Sequence, residues 1–178
     1  MIQPAKPVLS ALARLENAGY PAYIVGGAVR DALRGISPHD YDLCTAARPQ
    51  ETIAVFAGER VVETGLRHGT VTVLLDGMPL EITTFRVESG YSDKRHPDHV
   101  RFVRTVEEDL SRRDFTINAI AYSPYRGLAD PFGGQTDIIN HTLRAVRNPY
   151  TRFSEDSLRI LRGLRLAAQT GFAIESVT

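Results

Sequence analysis

The sequence predicts an α/β (α+β) fold in which helices flank a mixed sheet containing antiparallel strands. Three observations predict it. Stretches with apolar residues at helical spacing alternate along the chain with short β-rich runs. Two of those runs, GTVTVLL and MPLEITTFR, are separated by Asp76-Gly77, a dipeptide suited to a tight hairpin. A third run, PAYIV, passes through a glycine pair straight into a helical pattern. With 178 residues and 43% hydrophobic composition, the chain has enough apolar surface for one compact core.

The elements follow in order. PVLSALARLENAGY carries Val8, Leu9, Leu12 and Leu15 at helical spacing, and Gly19 ends the pattern. PAYIVGG reads as a short buried strand, and AVRDALRG as a brief helix closed by Gly35 at the C′ position. A further helix starts near Pro49 in RPQETIAVFAG, ahead of the hairpin. Residues 87–99, VESGYSDKRHPDH, are polar and without period, and are expected to form a mobile loop. After VRFVRTVEEDLSRRDFTINAIAYS and a turn-rich PYRGLADPFGG comes one last long helix, SEDSLRILRGLRLAAQTG. Its interior face is expected to be Leu158, Leu161, Leu164 and Leu166.

Lys+Arg and Asp+Glu both number 21, so no global positive field advertises a nucleic-acid partner, although opposite charges can still be segregated locally. A single cysteine, Cys44, excludes a disulfide framework and a Cys-rich zinc site, and its neighbours are apolar enough to bury it. No apolar run approaches the ~20 residues that cross a bilayer, and the first residues lack a signal-peptide stretch. The expectation is a soluble, cytoplasmic protein without a membrane partner. His39, His68, His96, His99 and His141 form no cluster at metal spacing. The tyrosines and phenylalanines show no stripe and are expected in the core.

The polar chemistry starts at IVGGAVRDALRGISPHDYDLCT. Asp40 and Asp42 are two apart in a segment read as extended, where alternate residues share a face. Two adjacent carboxylates repel unless a cation sits between them, and hard oxygen donors suit Mg²⁺ with substrate phosphates completing its shell. The same spacing fits a solvated turn. Gly26 and Gly27, between strand and helix, permit close approach of backbone to an anion, and equally fit a tight turn.

VGGAVRDALRG, HDYDLCT, RRDFTINAIAY and SEDSLRILRGLRLA, taken together and in this order, resemble the class II tRNA nucleotidyltransferase (CCA-adding enzyme) and bacterial poly(A) polymerase family, over nearly the whole chain. The resemblance implies a polymerase-beta-like nucleotidyltransferase head. It places Gly26, Gly27 and Arg30 near the triphosphate and makes Asp40 and Asp42 the catalytic metal ligands for Mg²⁺. It also implies that a tRNA 3′-hydroxyl attacks the α-phosphate of CTP or ATP and that pyrophosphate leaves. CCA addition is the favoured activity. Poly(A) tailing, CC-only or A-only addition and a non-catalytic nucleotide- or RNA-binding module are the alternatives.

Further residues join the candidate site. Glu81 lies on the face opposite Leu80, Ile82 and Thr84 and is either an auxiliary metal ligand or a solvent-facing strand residue. Arg112 and Arg113 offer counter-charges for a triphosphate, Asp114 an acceptor for ribose hydroxyls and Asn118 a further polar contact; the arginines also fit a solvated helix end. Asp156 and Arg159, at i and i+3, are expected on one helix face. The resemblance has this segment read bases, with Arg162 also at the nucleotide: the carboxylate accepts from the amine of cytosine or adenine and the guanidinium donates. On spacing alone the pair fits an ordinary surface ion pair. The expected division is a catalytic head in residues 1–148 and the start of a helical neck in 149–178, with the family's body and tail absent.

Overall fold

The computed structural model describes residues 2–38, 40–63 and 65–178. Pro7 in its first turn starts α1 (Lys6–Asn17), which buries Val8, Ala11, Leu12 and Leu15, while Leu9 sits at the edge of that stripe. Gly19, at φ +87°, turns the chain out of the helix as expected. β1 (Ala22–Val25) leads through Gly26 into α2 (Gly27–Leu33), and Gly35 at φ +77° closes α2 while the Ile36 N–H reaches back to the Asp31 carbonyl. β2 (Asp42–Thr45) precedes α3 (Pro49–Val55), whose start is tied by the Arg48 N–H donating to Glu51 at 2.6 Å.

After β3 (Arg60–Val62), β4 (Thr70–Leu75) and β5 (Met78–Thr84) form the expected hairpin. Asp76 and Gly77 both have positive φ, +49° and +78°, which matches the right-handed twist of the two strands. β6 (Arg86–Ser89) and β7 (His99–Phe102) then pair with each other, from Arg86 opposite Phe102 to Ser89 opposite His99. This corrects the reading of 87–99 as an irregular loop: only the connection between β6 and β7 is irregular. The ribbon stands outside the main sheet, so neither face needs the apolar alternation that marks a strand in sequence.

The chain continues through α4 (Val106–Leu110), a 3₁₀ turn at Thr116–Asn118, β8 (Ala121–Ser123), β9 (Gly127–Ala129) and α5 (Gly134–Ile139). β10 (Thr142–Leu143), α6 (Pro149–Glu155), α7 (Leu158–Thr170) and β11 (Ala173–Ile174) complete it. The main sheet has seven strands in the order β3-β4-β5-β2-β1-β8-β9. Its β2–β5 pair is parallel and the other pairs are antiparallel, so the sheet is mixed as expected. One core cluster joins α1 to Ile24, Leu43, Leu80 and Ile82; a second, on alternate strand residues, gathers Val25, buried Cys44, Phe85, Val106 and Leu110.

Two expectations about the last segment fail. The long helix is two helices, because Asp156 is extended (φ −140°, ψ 103°) and its carboxylate accepts the Leu158 N–H at 3.0 Å, capping a new start. Asp156 and Arg159 therefore do not share a helix face. The leucine stripe also faces outward: Leu161 is 62% and Leu164 55% exposed, with Leu158 exposed as well, and only Leu166 of the four is buried. The inward stripe is Arg159, Gly163 and Leu166. Gly163 lets α7 approach so closely that a Cβ there would lie 2.8 Å from the Phe115 ring. Nor are all aromatics in the core, since Tyr125 and Tyr150 are exposed. No helix among the described residues is long and apolar enough to cross a membrane.

Candidate active site

Two clefts meet at Asp42. The first, of about 570 Å³, is lined by Gly26, Gly27, Arg30, Asp42, Arg112, Arg113, Asp114, Asn118, Asp156, Arg159 and Arg162, which brings together all the sequence-derived site residues except Asp40 and Glu81. The second, of about 450 Å³, is lined by Asp40, Asp42 and Glu81 with Thr72 and the start of β5. Eight arginines and four carboxylates line the first, so the overall charge balance conceals a strongly cationic cleft.

Topology builds the carboxylate side. β2 and β5 run parallel with Asp42 in register with Glu81, so both side chains leave the same face, and Asp40 lies in the irregular segment just before β2. Although Asp42 is accessible to solvent, the surrounding protein partly dehydrates its carboxylate and raises its pKa; Arg113 opposes the shift and Asp40 adds to it. None of Asp40, Asp42 and Glu81 has a cationic side chain within 4.0 Å among the described residues. No ready-made cage of three or more metal-ligating side chains forms among those residues. An uncompensated carboxylate pair beside an arginine-rich cleft suits a hard cation that takes the rest of its oxygen shell from water or phosphate.

The cationic side starts where β1 ends. Gly26 adopts φ +77°, ψ −133°, its N–H donates to the Ile120 carbonyl at 3.3 Å, and as the N-cap of α2 it brings no side chain to cap the first turn. Arg30 is held from two sides: Nε and a terminal nitrogen bind Asp31 at 2.8 and 2.9 Å, and the other terminal nitrogen donates to Asn118 Oδ1 at 2.8 Å. Asn118 thus spends its carbonyl on orienting Arg30.

The adjacent arginines are not equivalent. Arg112 donates to Asp109 at 3.0 Å and to Glu88 at 3.0 Å. Burial by itself would lower the Arg112 pKa, but Asp109 and Glu88 reverse that and hold it above its ordinary value. Arg113 makes only a loose 3.7 Å approach to Asp109. Glu88 also takes Arg86 Nε at 2.9 Å and the Tyr91 hydroxyl at 3.2 Å; burial and that carboxylate push the Tyr91 pKa up to about 12.

At the far wall Arg162 links Asp114, at 3.3 Å, to Asp156, at 3.2 Å. Arg159 Nε lies 3.8 Å from Asp156, while its terminal nitrogen binds Glu155 at 2.8 Å and the Arg152 carbonyl at 3.1 Å. The break between α6 and α7 is thus what turns Asp156 toward Arg159 and Arg162. It is tied to the β6–β7 connection by the Ser157 N–H donating to the Lys94 carbonyl at 3.2 Å.

Sequence reasoning missed Asp109, Glu88, Tyr91, Arg95, His96 and Arg165, of which all but Asp109 line the first cleft. A signal existed for Asp109, which precedes Arg112 and Arg113 by three and four residues. Tyr91 carried no such signal: its hydroxyl binds Glu88 three residues back, but the guanidinium over its ring, Arg159 at 5.9 Å, is remote in the chain. His39 lies outside the described residues.

Residues 22–144 match the family described as the poly A polymerase head domain. The CCA-adding enzyme of Lacticaseibacillus paracasei is 50% identical over 173 residues, covering 97% of this chain and 43% of the relative. The crystal structure of the Bacillus stearothermophilus CCA-adding enzyme in complex with CTP superposes with a TM-score of 0.89 at 41% identity, covering 100% of this chain and 42% of that one. A tRNA nucleotidyltransferase complexed with a primer tRNA and an incoming ATP analog superposes with a TM-score of 0.75 at 33% identity, covering 94% of this chain and 47% of that one. The chain thus spans less than half the length of these relatives.

Proposed function

This chain belongs to the poly A polymerase head domain family, and on that premise we propose that it is the catalytic head of a cytoplasmic tRNA nucleotidyltransferase that adds CCA to tRNA 3′ ends. The substrates are CTP, ATP and tRNA, and pyrophosphate is the leaving group. The observation that carries the reading is the meeting, at Asp42, of an arginine-rich cleft with a cleft bearing Asp40 and Glu81. A nucleoside triphosphate fits the first by charge, and the 3′ end of an acceptor reaches its α-phosphate from the second.

Asp40 and Asp42 would hold Mg²⁺, with Glu81 beside them on the neighbouring strand. When bound, the metal would supply Lewis acidity and positive charge for phosphoryl transfer. The backbone at Gly26 and Gly27 leaves room for phosphate oxygens, Arg30 and Arg113 neutralise them, and Arg112 braces that wall from behind. Asp114 accepts from the ribose. Asp156 accepts from the amine of cytosine or adenine while Arg159 and Arg162 donate, so uracil and guanine would set a carbonyl against a carboxylate. Residues 1–148 form the head and 149–178 begin a helical neck.

The test is to incubate the full-length protein containing this chain with Mg²⁺, each labelled nucleotide and tRNA lacking its 3′ end. Incorporation of CTP followed by ATP supports the proposal. ATP alone moves it to A-addition or poly(A) synthesis, and no incorporation leaves a nucleotide-binding module.

A further inference from the structure

Asp109 is fully buried on α4, beneath the first cleft and outside its lining. One carboxylate oxygen is fully engaged, accepting the backbone N–H of Arg86 at 3.1 Å and Arg112 Nε at 3.0 Å. The other has no hydrogen-bond partner among the described residues and faces Arg113 at 3.7 Å. Arg113 Nε is likewise buried without a partner among those residues. The guanidinium of Arg113 reaches across Gly26, where a Cβ would stand 3.2 Å from its terminal nitrogen, and it lines the cleft.

A buried carboxylate that served only to hold the core together would close on both arginines, because every unmet hydrogen bond at zero exposure costs stability. Here closure is blocked. The N–H at the start of β6 and the Arg112 side chain, itself pinned by Glu88, hold the carboxylate in place. Arg113 is left attracted to a fixed negative charge behind it without being hydrogen-bonded to it, and its terminal nitrogens stay available to an anion in front.

We propose that Asp109 is a positioning residue for nucleotide phosphates: it aims Arg113 across Gly26 at the phosphate end of the cleft, with Arg112 as the strut that keeps it from closing on Arg113. The assignment rests on the nucleotide-binding reading of the cleft and adds a division of labour within Arg112-Arg113, in which only the second arginine meets phosphate. Ligands without a polyphosphate gain nothing from Asp109.

Calorimetric titration of the full-length protein with CTP and, separately, with CMP tests this in Asp109→Asn, Arg113→Ala and the double variant. Asn keeps an acceptor for Arg86 and Arg112 but turns an amide toward Arg113. Asp109→Asn is expected to weaken CTP about tenfold or more, the scale of one charge-assisted hydrogen bond, and to leave CMP nearly unchanged. In the Arg113→Ala background it should cause no further loss of CTP affinity, whatever it does to the melting temperature. An equal loss in both backgrounds, or equal losses for CTP and CMP, would overturn the proposal. If Asp109→Asn does not fold, Arg113→Lys decides, because lysine still neutralises Asp109 but offers no fork. CTP affinity lost with the melting temperature unchanged supports the proposal, and full retention of CTP affinity overturns it. Should the wild type add no nucleotide to tRNA, the enzymatic reading falls, while CTP affinity that depends on the Asp109–Arg113 couple still upholds this inference.

Discussion

Replacing Gly26 by alanine separates the two demands made on this turn. Its φ of +77° with ψ −133° is a conformation that L side chains rarely adopt, so alanine there stores about 1–3 kcal/mol of backbone strain. For a unit of 178 residues melting by itself that corresponds to a fall in melting temperature of about 2–12 °C, and to a smaller fall in a longer protein, whose unfolding entropy is larger. The added Cβ would also stand 3.2 Å from Arg113, at the flexible end of a side chain that can yield by moving away from the phosphate end of the cleft. Gly35 is the control: it shares φ +77° but has open space where a Cβ would go. Both alanine variants should therefore melt lower, whereas only Gly26→Ala should weaken CTP. Differential scanning calorimetry and CTP titration on the full-length protein measure the two effects. A Gly26→Ala protein that binds CTP like the wild type, or a Gly35→Ala protein that loses CTP equally, would refute the claim that Gly26 is needed for close approach at the cleft.

Asp40→Ala and Asp42→Ala should each abolish nucleotide incorporation with little change in melting temperature, since neither carboxylate is in the core; turnover surviving in the double variant would remove them from the chemistry. Asp156→Asn preserves an acceptor for the Leu158 N–H but presents an amide to the base, so discrimination against UTP and GTP should fall about 5- to 150-fold. Unaltered rejection of UTP in a four-nucleotide comparison would place base choice elsewhere. Glu88 titrates below its ordinary 4.5, because Arg112 and Arg86 outweigh the burial that would raise it. A depressed carboxylate pKa gives stability that is complete above 4.5 and is lost as pH falls through the lower folded value. Melting temperatures measured across that range should drop less steeply in Glu88→Gln than in the wild type, and parallel profiles would contradict the pairing.

Signals carried by neighbouring residues were legible in the chain itself. The α1 stripe, Pro49 at the start of α3, Gly35 closing α2 and the Asp76-Gly77 hairpin each depend on dihedral preferences and spacings within a few residues, and each appears where the pattern puts it. The choice of α7 face was different. Leu158, Leu161 and Leu164 satisfy a core period, yet Gly163 and Arg159 turn inward because Phe115 demands a residue without a side chain and Glu155 demands a guanidinium. The β6–β7 ribbon stayed hidden for want of an apolar face. The site divides in the same way. Its residue types were readable, because carboxylate, guanidinium and glycine chemistry belong to the residue. Strand register alone brought Glu81 beside Asp42, and only the buried carboxylates of Asp109 and Glu88 made Arg112 a strut while leaving Arg113 open to the cleft. Which donors a side chain has is written in its covalent structure, but which remain unspent depends on partners that only the folded chain brings within hydrogen-bond distance.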